Sequence, residues 1–252
     1  MEFKSAGGTD VGRLREANED AFLIDEQRKL YIVADGMGGH QGGGFASKKI
    51  LELVTGELDR LEQMQDTTQP LKTLEERTLT QFRLLRGLQR ANQGLFDISL
   101  KEPNLRGMGT TLTAVQFDER YANIAHIGDS RAYLIREAAL KQLTEDHSWV
   151  QEQVRQGVLT LEEAKNHPLK NIITRSMGHE RDIKVDLLKT EYQPGDKFLL
   201  CSDGLSNMVA DEEILKIIQE NSLKDAVDIL IRRANEEGGY DNISVILLEV
   251  SA

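Results

Sequence analysis

The sequence predicts an α+β fold: a central antiparallel β-sandwich flanked by helices on both faces. Three observations predict it. Strand signals come in runs rather than singly. Helical signals come in pairs between those runs. The strict β-α-β-α alternation that builds a parallel sheet is missing.

The first strand-rich region is 21–35, where LYIVAD is a short apolar run ending in a turn. The second is 111–136, in which TLTAVQF, YANIAHI and RAYLI are parted by the polar breaks DER and GDS. Short apolar runs with polar turns between them predict a meander of antiparallel strands. The third region gathers KVDLLKTEY, KFLLCSD and NISVILLEV. Between them, residues 44–63 and 74–100 carry helical spacing, the latter through Phe82, Leu85, Leu88 and Leu95. The polar stretch 65–70 ends in proline and is expected to turn between those two helices. A later helical pair covers 211–220 and 223–236, with Asp211 expected to cap the first. Residues 149–177 are polar and mixed, and read as a small helical insertion or a long loop. Long loops in compact domains are often functional.

A chain of 252 residues can bury a full core. Its 39% apolar and 29% charged composition is that of a soluble globular protein. No stretch approaches the ~20 apolar residues of a membrane span, and the first twenty residues lack an apolar signal core. The expectation is a cytoplasmic protein that binds no membrane. The one cysteine, Cys201, cannot form an internal disulfide and reads as a small buried apolar residue. A net charge of −11 argues against a nucleic-acid partner, whose backbone attracts basic patches. It also means that any anion site must be made locally positive by metals or arginines.

The aspartates repay close reading. Asp35 ends an apolar strand and opens DGMGGHQGGG. Asp129 lies between two strands in IGDSR, and Asp203 follows a strand in LLCSDG. Asp241 precedes the last strand in GGYDN, and Asp20 precedes an early one in REANED. One such aspartate is usually a turn former or a helix cap. Five at strand ends of an acidic chain point to a cation among them, because strand ends of a sandwich converge. Oxygen donors without a Cys–His pattern favour hard ions such as Mg²⁺ or Mn²⁺ over zinc.

Seven motifs then carry a resemblance. RxxNED (Arg15, Asn18, Glu19, Asp20), VADGMGGH (33–40), GMGTT (107–111), HIGDSR (126–131), DHS (146–148), LLCSDG (199–204) and GGYDNIS (238–244) stand in the order found in bacterial PP2C-type (PPM) metal-dependent serine/threonine phosphatases. The chain resembles that family over nearly its whole length. The resemblance implies a single αββα domain over 1–252, with a flap-like insertion at about 149–177 that would influence substrate choice. It implies phosphomonoester hydrolysis by metal-activated hydroxide attack on phosphorus, without a phosphoenzyme. By resemblance, Asp35 would bridge two metals and the Gly36 carbonyl would bind the first. Asp203 and Asp241 would bind the second. Asp20 and Glu19 would hold metal-bound waters. Asp129, with Asp203, would support a third, weaker ion. Arg15 would grip the phosphate, for which a planar guanidinium is suited. The cofactors implied are Mn²⁺ or Mg²⁺. The partners implied are phosphorylated proteins, substrates of Ser/Thr kinases.

One position departs from the family's eukaryotic pattern. Those members read DGHGG, where this chain has Met37 in place of the histidine proposed as general acid. Either His40, three residues on, or a metal-bound water would protonate the leaving oxygen, and His40 could instead contact substrate or only pack. The glycine run 42–44 lacks the Lys–Ser/Thr ending of a P-loop, so close backbone approach explains it better. A cysteine-phosphatase reading fails because the position six after Cys201 is Asn207 rather than arginine. Ser130 in GDSR is not a nucleophile elbow. His147 is expected to orient a local turn and Trp149 to anchor the insertion. Three other readings stand: another two-metal hydrolase, such as a phosphodiesterase; a phosphoprotein-binding pseudophosphatase; and a regulatory phosphatase acting on an anti-sigma-factor antagonist, which is a question of substrate and leaves the chemistry unchanged. The second would be signalled by loss of Asp35, Asp203 or Asp241, all of which are present. A monomer is expected, since no apolar helix face is left over.

Overall fold

The computed structural model describes residues 1–38, 42–63 and 78–252. Two antiparallel sheets stack face to face. One holds β1 (Glu2–Asp10), β11 (Ile243–Ser251), β10 (Lys197–Cys201), β7 (Arg131–Arg136) and β8 (Ala139–Gln142), in that order. The other holds β2 (Asp20–Asp25), β3 (Leu30–Met37), β5 (Leu112–Phe117), β6 (Tyr121–Ile127) and β9 (Asp186–Glu191), with the short β4 (Gly109–Thr110) paired to β3. Helices α1 (Gly42–Gln63) and α2 (Leu79–Lys101) cover the second sheet. Helices α5 (Asp203–Ser206), α6 (Asp211–Glu220) and α7 (Leu223–Glu236) cover the first. The expected αββα sandwich is what forms.

Side-chain alternation builds the layers, because successive residues of a strand face opposite ways. In β3, Leu30, Ile32 and Ala34 pack under α1 and α2, while Tyr31 and Val33 enter the layer between the sheets. In β10, Phe198 and Leu200 point into that middle layer, while Leu199 and Cys201 face α6 and α7. Strands buried on both faces therefore read as continuous apolar runs. Cys201 is fully buried there, as expected of a small core residue.

Several expectations need correction. The meander ends after β6. Its next strand, β7, leaves for the other sheet and pairs with β10 and β8. The break at GDS is thus a crossover between sheets, which a local pattern cannot distinguish from a hairpin turn. β1 was not anticipated, because EFKSAGGTD spends two positions on glycine and alternates few large apolar residues. Its place comes from nine backbone pairings with β11. In α2 the buried stripe is Leu84, Leu88, Ala91 and Leu95, with Phe82 and Leu85 only half-buried. Asp211 lies in the first turn of α6 while Ala210 is the N-cap, with no side-chain cap bond. The carboxylate can still favour the positive end of the helix. The expected turn at 65–70 lies outside the described residues. Residues 149–177 contain two short helices, α3 (Trp149–Arg155) and α4 (Leu161–Lys165), and the Trp149 ring packs on His167 at 5.1 Å.

Candidate active site

The strand ends bring the aspartates to one rim of the sandwich. Asp20 begins β2 and lies directly across from Asp35 in β3. Asp129 sits on the crossover from β6 to β7. Asp203 opens α5 just after β10, and Asp241 lies just before β11. Backbone bonds lock this rim. Asp35 N–H donates to Thr111 Oγ1 at 2.9 Å, and Asp35 O accepts from Thr111 N–H at 2.8 Å. Gly36 N–H donates to Glu19 O at 3.2 Å. A Cβ at Gly36 would stand 2.1 Å from Gly43 O and 2.5 Å from Glu19 O, so only glycine lets β3, α1 and the Glu19 turn meet here.

The carboxyl groups feel one another. Burial pushes Asp35 well above the usual carboxylate range, and the charges of Asp20, Asp203, Asp129 and Asp241 push it further. Burial takes Asp20 up to about 7, against the pull of hydrogen bonds from Ser202 and Ser244. Burial and Asp241 take Asp203 up to about 6, against the opposite pull of Asp35, Arg131 and Arg15. Asp129 is raised well above its ordinary value by burial and by Asp203. Such a cluster is unfavourable in its fully ionised form unless a cation stands within it.

The donor set fits a hard cation. Asp20 Oδ1, Asp129 Oδ1 and Asp203 Oδ1 are buried without a hydrogen-bond partner. Buried orphan oxygens of this kind call for a ligand or a water. Among the described residues, no group of three or more His, Cys, Asp or Glu side chains has the spacing of a closed metal cage. The fit therefore rests on oxygen chemistry and orphaned atoms, not on finished coordination geometry.

Arg15 and Asp241 occupy the open side. Arg15 Nη2 donates to Asp241 Oδ2 at 2.7 Å, with half of the arginine side chain exposed. The field of Asp241, Asp35 and Glu19 raises the guanidinium pKa further. Glu19 sits on the wall, its side chain against Gly43. Of the site residues expected from sequence, Arg15, Glu19, Asp20, Asp35, Gly36, Asp129, Asp203 and Asp241 gather at this rim. His40 lies outside the described residues.

Two supporting residues escaped the sequence reading. Asn242 accepts Glu19 N–H at 2.8 Å and donates to Val11 O at 2.9 Å and Ala17 O at 3.0 Å. It pins the Arg15 loop to the start of β11. Ser202 donates to Asp20 Oδ2 at 2.7 Å and accepts Ser244 N–H at 2.9 Å. Their places beside Asp241 and Asp203 in GGYDNIS and LLCSDG were the available signal.

A family model described as Protein phosphatase 2C matches residues 8–247. The chain belongs to the protein phosphatase 2C family. Within that family it is 41% identical over 245 residues to the serine/threonine phosphatase stp of Listeria monocytogenes serotype 4b, covering 96% of this chain and 93% of that protein. It is 37% identical over 251 residues to the serine/threonine protein phosphatase PstP of Mycobacterium tuberculosis, covering 99% of this chain and 45% of the longer PstP. Among solved protein phosphatase 2C structures, Mycobacterium tuberculosis PstP/Ppp superposes with a TM-score of 0.86 at 36% identity, covering 100% of both chains. The catalytic domain of PstP in complex with 2 manganese ions superposes with a TM-score of 0.84 at 34% identity, covering 99% of each chain.

Proposed function

We propose that this protein hydrolyses phosphoserine and phosphothreonine in phosphoproteins, with the acidic rim as its metal centre. The observation that carries the proposal is the set of buried, mutually repelling aspartates with orphaned oxygens, set beside an exposed arginine. In this reading Asp35 and the Gly36 carbonyl, Asp203 and Asp241 hold two divalent cations, Mn²⁺ or Mg²⁺. Asp20 and Glu19 orient water at the site, and Asp129 supports a third, weaker ion. Bound there, such a cation pair supplies charge neutralisation at the phosphoryl group and an acidified water.

The chain's own residues do the rest. Arg15 offers two N–H groups to phosphate oxygens, and swinging from Asp241 to substrate keeps its charge paired throughout. Asn242 fixes the loop from which Arg15 reaches out. Ser202 aims Asp20 by donating to one of its oxygens and leaving the other free. Positioning and electrostatics therefore supply most of the catalysis. His40 remains the side-chain candidate for protonating the leaving oxygen. A pH–rate profile unchanged in His40→Ala would remove it.

Substrates are phosphorylated targets of Ser/Thr kinases, and the insertion at 149–177 sets preference among them. The protein acts as a monomeric single domain in the cytoplasm and needs neither nucleic acid nor membrane. Among the described residues no helix is long and apolar enough to cross a membrane.

The test compares wild type with Asp203→Ala on p-nitrophenyl phosphate and a phosphothreonine peptide, with Mn²⁺, Mg²⁺ or chelator. Metal-dependent hydrolysis lost in the variant is the expected result. Phosphopeptide binding without cleavage would favour the pseudophosphatase reading. Hydrolysis that survives chelator and substitution would overturn the metal mechanism.

A further inference from the structure

Asp129 hangs on a crossover whose shape is held from outside. Gly128 has φ +109°, and a Cβ there would lie 2.5 Å from Thr111 Cβ, so the turn is pressed against Thr111 at the foot of β5. The Asp129 side chain is buried beside that turn, and its Oδ1 has no hydrogen-bond partner. Its aim therefore follows the backbone of the turn.

His147 grips that backbone twice. Its N–H donates to Gly128 O at 2.7 Å, and its ring Nδ1 accepts Gly128 N–H at 3.0 Å. A ring nitrogen that accepts carries no proton, so the neutral ring keeps its proton on Nε2. From there it donates to Asp186 Oδ2 at 3.1 Å. Arg175 Nη1 donates to the other oxygen of Asp186 at 3.1 Å. The carbonyl of His147 accepts Thr174 N–H at 2.8 Å. The ring is buried and stacks on His126 at 4.7 Å. Both edges of the imidazole are thus engaged, one by the Asp129 turn and one by β9.

We propose that His147 is a positioning residue, acting through the Gly128–Asp129 turn to aim the Asp129 carboxylate at a divalent cation. This rests on the reading of Asp129 as a metal ligand. Residues that orient metal ligands typically change metal affinity by about 10- to 100-fold when replaced. A residue that only stabilised the fold would move melting temperature without separating metal affinity from turnover.

Two near-isosteric variants dissect the ring. Asparagine places its amide oxygen near the site of Nδ1, and glutamine places its amide near the site of Nε2. His147→Asn keeps an acceptor for Gly128 N–H and gives up Asp186. His147→Gln does the reverse. The experiment is Mn²⁺ titration by calorimetry of both variants and wild type, with the Mn²⁺ dependence of kcat alongside and circular dichroism to establish folding. The expected result is wild-type affinity in His147→Asn, and in His147→Gln a loss of about 10- to 100-fold for the weakest Mn²⁺ ion, with kcat recovered at saturating Mn²⁺. Equal affinity in all three proteins, or equal loss in both variants, overturns the positioning role. Wild type that binds no Mn²⁺ overturns the metal centre itself, and the role of His147 with it.

Discussion

Arg15 and Asp241 make opposite demands on one atom. Asp241 Oδ2 takes the guanidinium at 2.7 Å, and Oδ1 takes the N–H of Asn242 at 2.8 Å. Asp241 therefore has both oxygens engaged, unlike Asp20, Asp129 and Asp203. A divalent cation arriving there meets a positive charge already in place, and like charges at such range repel. Arg15→Ala should bind Mn²⁺ more tightly than wild type while losing phosphate affinity. Hydrogen bonds to charged groups contribute about 1.5–3 kcal/mol, so kcat/KM on a phosphopeptide should fall by roughly 10- to 150-fold. Calorimetry with Mn²⁺ and with inorganic phosphate reads the two effects separately. Weaker Mn²⁺ binding in the variant would show that Arg15 supports the site rather than competing within it.

Asp20 gives the pH dependence at the same scale. Its folded-state pKa of about 7 lies above the unfolded carboxylate value, so the folded state holds the proton longer. For a raised carboxylate, the contribution to stability is fully present below the unfolded pKa and is lost as pH rises through the folded one. In chelator, stability attributable to Asp20 should decline between about pH 4 and pH 7. Asparagine mimics the protonated form. Asp20→Asn should therefore melt higher than wild type at pH 8, with a smaller gain at pH 5. A gain independent of pH would mean that the cost of burying the ionised carboxylate is not what is being relieved.

Elements decide how the rim is held. Gly36 is the point where β3, α1 and the Glu19 turn touch, and a methyl group there meets Gly43 O at 2.1 Å. Overpacking of this kind costs about 1–3 kcal/mol. Gly36→Ala should lower the denaturant midpoint accordingly and also weaken Mn²⁺ binding. Gly87→Ala in α2 is the control, because its nearest contact is a movable Leu58 side chain at 3.1 Å. It should leave Mn²⁺ binding unchanged.

The elements also explain what was legible in advance. Residues 211–220 and 223–236 could be read because period and length agree within one segment. The rim aspartates were visible as types at strand ends, and the structure brings them to one place. β1 was hidden because its register comes from β11, more than two hundred residues away. The crossover at Gly128 was hidden because a turn of that length serves a hairpin as well as a change of sheet. Asn242 and Ser202 were hidden because their work is hydrogen bonding between distant loops, which no spacing rule encodes.

At the scale of the whole molecule, charge sets the terms of encounter. A protein of net charge −11 must receive a substrate that carries negative phosphate. The exposed guanidinium of Arg15 is a small positive feature within a negative field. Flanking residues of a peptide sense that wider field, whereas the phosphoryl group senses the rim. Two phosphothreonine peptides that differ only in flanking Lys or Glu should therefore separate at low salt. The basic peptide should show the higher kcat/KM, mainly through KM, because steering acts on encounter rather than on chemistry. Screening shortens the reach of the field to about 10 Å at 0.1 M salt and about 3 Å at 1 M. The gap should close across that range, with kcat for the two peptides staying equal. A preference for Lys flanks that persists at 1 M salt would locate the discrimination in direct contacts, and the short helices of 149–177 would then be the first place to look.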